Sequence, residues 1–143
     1  MRVIRGMVVL VAVGCSSSTE VDGELEVRTQ QTEYEVGAAV ETRIVNHTRE
    51  VIYVAHCNDR VSLLLERRTG DTWEHHLQVN GPFCLTIYPM GELGIDPGAD
   101  VTETISIEEG GEFRFVLHGR RASQDFGSVV SVSRPFTMRY APD

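Results

Sequence analysis

Few residues in this chain have the chemistry to act on a ligand: there are three cysteines and five histidines among 143 residues. His47, His56, His75, His76 and His118 are the candidate metal ligands, and the adjacent pair His75-His76 is the most suggestive. Neighbours on a strand point to opposite faces, so only one of that pair can join His56 or His118 on a given side. The competing reading is that all five are solvated or edge histidines. Cys57 and Cys84 lack the CxxC spacing of a thiolate metal site. No G-x-S-x-G elbow, HExxH helix, phosphate loop or dinucleotide fingerprint occurs, and the many carboxylates have no spacing that singles out an acid/base pair. The sequence therefore nominates no catalytic residue and no cofactor, and the expected function is non-enzymatic.

Charge narrows the classes further. The formal net charge is -8, with 13 basic and 21 acidic residues, and every basic residue is an arginine. A chain this acidic lacks the positive footprint that displaces counterions from phosphates, so a nucleic-acid partner is not expected. An acidic substrate is disfavoured for the same reason.

The N-terminus carries the most specific signal. "MRVIRG" supplies Arg2 and Arg5, "MVVLVAV" is a short apolar core, and Gly14 precedes Cys15, which is the layout of an export signal. The run is too short for a spanning helix, which needs about 20 apolar residues. "AVGC" resembles the lipobox of bacterial lipoproteins, although Ala12 stands where leucine is more usual. The resemblance implies a signal peptide over residues 1–14, cleavage before Cys15, and acylation of Cys15 by palmitate-type chains. Several chains on one residue anchor a protein stably where one chain alone does not. Residues 15–23 then read as a lipidated cysteine with a polar tether, and residues 24–143 as the folded domain. Serine after the cysteine implies the outer membrane, where the bacterium has two. Asn46-His47-Thr48 spells a glycosylation sequon, which a bacterial lipoprotein would not use.

Lipidation of Cys15 leaves Cys57 and Cys84 as an even pair in an exported chain, for which a disulfide is expected. It would close a loop of 28 residues, contributing about 3.5 kcal/mol in the chain-entropy picture. Free or metal-bound thiols are the alternative.

The elements that must position these residues are strands. "ELEVRT" sets Leu25 and Val27 on one face, "AVETRIV" sets Val40 and Ile44 opposite Glu41 and Arg43, and "EFRFVLH" sets Phe113, Phe115 and Leu117 opposite Arg114 and His118. "VVSVSRPFTMRY" places Val130, Val132, Phe136, Met138 and Tyr140 on one even face, with Pro135 marking an edge strand or a bulge. Gly70-Asp71 signals a hairpin and Pro97-Gly98 a type II turn. This pattern predicts an all-β protein, a single antiparallel immunoglobulin-like β-sandwich of about seven or eight strands.

"YEVGAAVETRIVNHTREVIYV", "LLLERRTGDTWE", "IDPGADVTETISI" and "GEFRFVL" together resemble the immunoglobulin-like domain of many bacterial lipoproteins. They resemble more loosely the BsuPI-type intracellular proteinase inhibitors. The shared motifs define turns and core positions, so neither resemblance transfers a reactive residue. Trp73 lies between Cys57 and Cys84, unlike the antibody arrangement, so the pair is expected to tie neighbouring strands together instead of bridging the two sheets.

The expected function is a membrane-anchored envelope lipoprotein that presents its sandwich to an envelope protein or to cell-wall material. The alternatives are a periplasmic metal-handling or hydrolytic protein using the histidines, or a protease-inhibitor-like domain. The candidate partner-binding residues are Arg120, Arg121 and Phe126 in the polar connection "HGRRASQDFGS", residues 118–128. Arginine and aromatic side chains offer large contact areas with directional contacts.

Overall fold

Alternation of apolar and polar side chains builds strands wherever one face can be covered, and β3 (Ala39–Asn46) shows it cleanly: Val40 and Ile44 are fully buried while Glu41 and Arg43 are exposed. The structure, a computed structural model, describes residues 24–80 and 91–142. The expectations for residues 1–23, Cys15 among them, and for Cys84 lie outside the described residues. In chain order the other strands are β1 (Leu25–Thr29), β2 (Glu33–Glu35), β4 (Ile52–Cys57), β5 (Arg60–Val61), β6 (Leu63–Thr69), β7 (Thr72–Val79), β8 (Gly91–Ile95), β9 (Asp100–Ser106), β10 (Gly111–Arg121), β11 (Val129–Val132) and β12 (Phe136–Arg139). No helix forms among the described residues.

The fold is the expected all-β sandwich. A three-stranded sheet in the order β1-β3-β9 faces a nine-stranded sheet holding the remaining strands. Among the described residues twelve strands appear where the turns predict seven or eight. Part of the excess is β2 and β5, of three and two residues, too short for an alternation to register in the sequence. Among the described strands pairing is antiparallel except between β12 and β2, which run parallel.

β10 is the spine of the larger sheet. On one edge it pairs β12 through Gly111–Phe113 and β11 through Val116–Gly119. On the other it pairs β6 through Phe113–Val116 and β4 through Gly119–Arg121. Its inward side chains Phe113, Phe115 and Leu117 are fully buried against Val40, Ile44 and Ile105 of the smaller sheet. Phe136 is the aromatic hub, stacked on Phe115 at 5.1 Å between centroids and met edge-on by Tyr34 at 5.9 Å. Such pairs contribute roughly 0.5–1.5 kcal/mol beyond burial.

The last two strands correct the sequence reading. Phe136 and Met138 point inward as expected, but Val130 and Val132 do not: they are exposed, while Val129, Ser131 and Ser133 are buried. The cause is a bulge at Pro135. Ser133 pairs opposite Phe115 and Phe136 opposite Phe113, so three residues of one chain segment span two of β10. One extra residue exchanges the faces of everything before it. Proline has no N–H for the ladder, and the Ser133 hydroxyl serves the break by accepting from the Phe115 amide at 2.9 Å and donating to the Arg134 carbonyl. Tyr140, expected on the inward face, is 72% exposed beyond the end of β12.

The turns follow their residues. Gly70 takes φ +61° in the two-residue connection between β6 and β7. Gly98 takes φ +73° after Pro97, with the Ala99 amide donating to the Asp96 carbonyl, as the third position of a type II turn requires. Asn58 and Asp59 both take positive φ between β4 and β5, the pattern of a primed hairpin turn.

Candidate functional site

Five side chains of β10 alternate with the core set and lie on the outer face of the nine-stranded sheet: Glu112, Arg114, Val116, His118 and Arg120. Two arginines on that row share one arrangement. Arg114 donates to Glu66 at 2.7 Å and its guanidinium sits 4.5 Å from the Trp73 ring. Six residues along, Arg120 donates to Glu92 at 2.8 Å and lies 4.8 Å from the Tyr53 ring. A planar guanidinium binds a carboxylate in its plane and covers an aromatic with its face, so one residue welds three strands. The hydrogen bond from Arg120 holds the Glu92 carboxyl below its ordinary pKa, while partial burial opposes the shift and the charge attraction adds to it. The same bond raises Arg120.

The predicted site lies at the far end of this row. Arg120 and Arg121 belong to β10 and not to a loop, so the connection is shorter than expected, running from Ala122 to Ser128. Strand pairing with Tyr53 and Ile52 of β4 carries β10 through both arginines. Arg120 is engaged as described, and Arg121 pairs with Glu24 at the entry to β1. Phe126 alone of the three stands open, 48% exposed. Two residues expected on one face with Phe136 and Met138 are exposed as well: Val130 is 52% exposed and Val132 38%. Half-buried Leu64 and nearly covered Val116, which pairs Val132, continue this apolar strip across the sheet. No signal short of recognising the bulge at Pro135 could have found it.

The histidines are dispersed. His47 bonds Glu26 at 2.7 Å. A register slip between Leu65 and Glu66 leaves His76 as an extra residue on β7; its ring lies 5.7 Å from Phe113 with Nε2 3.5 Å from Glu109, while His75 faces solvent. His56 lies beside Gly91, where a Cβ would come within 2.5 Å of Nε2, and its buried Nδ1 has no hydrogen-bond partner. Among the described residues no three histidine, cysteine or carboxylate side chains gather as metal ligands. Cys57, buried at the end of β4, is disulfide-bonded.

At the opposite end of β10 the β6–β7 hairpin forms a cleft of about 460 Å³ lined by Arg67, Arg68, Thr69, Glu74, His75 and His76. Its arginines are already held: Arg67 donates to Glu109 and to the Gly110 carbonyl, and Arg68 to Glu112 and the Gly70 carbonyl. A ligand there would have to displace these bonds.

Asn46 settles the sequon. Its side chain is fully buried, with Nδ2 donating to the carbonyls of Glu50 and Ile95, both at 2.8 Å, and Oδ1 accepting from the Thr48 amide and hydroxyl. Both amide hydrogens are engaged, so the residue works as a tie between β3 and β8 and has no room for a glycan.

No protein-family model matches the chain, and no curated protein matches it. Among solved structures it is similar to a superoxide reductase (neelaredoxin) from Ignicoccus hospitalis, with a TM-score of 0.42 at 10% identity over 82% of this chain and 80% of that one. A variant of the same protein gives a TM-score of 0.41 at 9% identity over 83% and 81%.

Proposed function

We propose that the chain is the precursor of a non-enzymatic lipoprotein of the bacterial cell envelope, with residues 1–14 as signal peptide, Cys15 acylated and residues 15–23 as tether. The sandwich then presents its surface to an envelope protein or to cell-wall material, at the outer membrane where there are two. The observation that supports an interaction role is the exposure of Val130 and Val132 together on the outer face of β11, with Phe126 exposed in the loop that leads into it. Exposed apolar side chains gathered together, instead of scattered singly, mark contact surfaces. The export reading adds a Cys57–Cys84 disulfide.

Labelled palmitate should enter the wild-type chain and not Cys15→Ser, and the mature protein should begin at an acylated Cys15. Normal cleavage and membrane retention of Cys15→Ser would overturn the proposal. A non-reducing peptide map should recover Cys57 joined to Cys84; Cys57 joined to any other thiol would overturn that pairing.

A further inference from the structure

Resting on the lipoprotein reading, we propose that the corner formed by Phe126 and Val130 docks on the lipid surface itself, so that the sandwich stands on the membrane by the Arg121 end of β10. The described chain enters the fold at Glu24, just before β1. Glu24 is clasped there twice: its carboxylate pairs with Arg121, and its carbonyl accepts from the His47 amide at 3.1 Å. Between Glu24 and the lipid on Cys15 lie only residues 15–23, which reach about 30 Å when fully extended and span about 15–18 Å as a coil. The sandwich is thus held within its own dimensions of the bilayer, and the end that carries Arg121 is the end the tether pulls down.

That same end carries the unexplained apolar exposure. The loop Ala122–Ser128 leaves β10 directly after Arg121, and its Gly127 amide folds back to donate to the Gly119 carbonyl. Phe126, 48% exposed, sits at this turn, and Val130, 52% exposed, follows on β11 opposite His118. Docking requires transfer of these side chains out of water, and the anchor lowers its cost because the encounter is already intramolecular. The cleft of the β6–β7 hairpin then points away from the bilayer: Arg114, over Trp73, lies seven residues from Arg121 along β10, about 23 Å.

Trp73 is the chain's single tryptophan, which makes the orientation measurable. The acylated full-length mature protein is reconstituted into phosphatidylcholine vesicles with and without dibrominated acyl chains, which quench tryptophan on contact; mass spectrometry confirms the acyl chains. Wild-type emission, from Trp73, should be the same in both. Phe126→Trp should lose emission in the brominated vesicles only, and adding Val130→Ser should restore part of it. Circular dichroism checks that each variant is folded. An acylated Phe126→Trp chain with equal emission in both vesicles would overturn the docking and leave the lipoprotein reading standing, as would quenching of Trp73 in the wild type. A mature chain without acyl mass would overturn both.

Discussion

Glu103→Ala should be the most damaging single truncation of a polar side chain on the rim of the sandwich. Glu103 occupies an inward position of β9 and is 4% exposed, yet it faces the other sheet. One carboxylate oxygen accepts from the Val61 amide at 2.6 Å; the second accepts from Arg60 Nε at 3.2 Å and Asn80 Nδ2 at 3.3 Å. The alanine would leave the buried Val61 amide without a partner, and breaking a buried charged network costs about 3–5 kcal/mol. The Arg60 side chain is 49% exposed and recovers solvent on its own, so the lower figure, about 3 kcal/mol, is expected. For a domain of this size that lowers Tm by roughly 10 °C. Glu103→Gln should fall in between, because either orientation of the amide sets an N–H group against at least one donor. Arg60→Ala should cost about 1 kcal/mol, as for an exposed pair. Urea unfolding of the three variants, followed by circular dichroism, measures each. Glu103→Ala within about 1 kcal/mol of wild type, or Arg60→Ala matching it, would refute the assignment of the clamp to the buried amide.

Asn46→Asp removes two donors and sets a carboxylate against the carbonyls of Glu50 and Ile95, so it should destabilise by about 2–4 kcal/mol in the same assay. Gly119→Ala places its Cβ 3.1 Å from the Tyr53 carbonyl oxygen and 3.1 Å from Ile52 Cγ2; backbone cannot yield as a side-chain tip can, and a loss of about 1–3 kcal/mol should follow. Glu92 and Asp100 are both held below the ordinary carboxylate range, chiefly by hydrogen bonds from Arg120 and Arg43. A depressed folded pKa stabilises above the unfolded value and loses that effect as pH falls through the folded one. The Tm difference between wild type and Arg120→Gln should therefore shrink as pH is lowered below about 4, and a difference that widens in acid would refute the pairing.

Inward and outward faces were legible wherever a strand kept a strict period of two: Leu25 and Val27, Val40 and Ile44, and the β10 triplet Phe113, Phe115 and Leu117 are all buried as read. Gly70 and Gly98 marked their turns because each takes a positive φ that other residues adopt at a cost. The reading failed where pairing, not periodicity, decides. Pro135 announced a break but not the one-residue slip that turned Val130 and Val132 outward. Arg120 and Arg121 looked like loop residues because their charges find Glu92 and Glu24 only in three dimensions. Glu103 gave no signal at all: a carboxylate between Val101 and Ile105 breaks the alternation, and its three donors come from distant parts of the chain.

The place of β10 also sets the order in which the fold can be assembled. A chain delivered N-terminus first can close β4 on β5 and β6 on β7 early, since those partners are adjacent in sequence. β2, by contrast, has no partner in the larger sheet until β12 arrives, and the β4 and β6 units have nothing to join them until residues 111–121 are available. Non-local pairing of this kind is slow and defers collapse. Nearly the last quarter of the chain, from Gly111 onward, thus acts as the latch that commits the rest to its native shape.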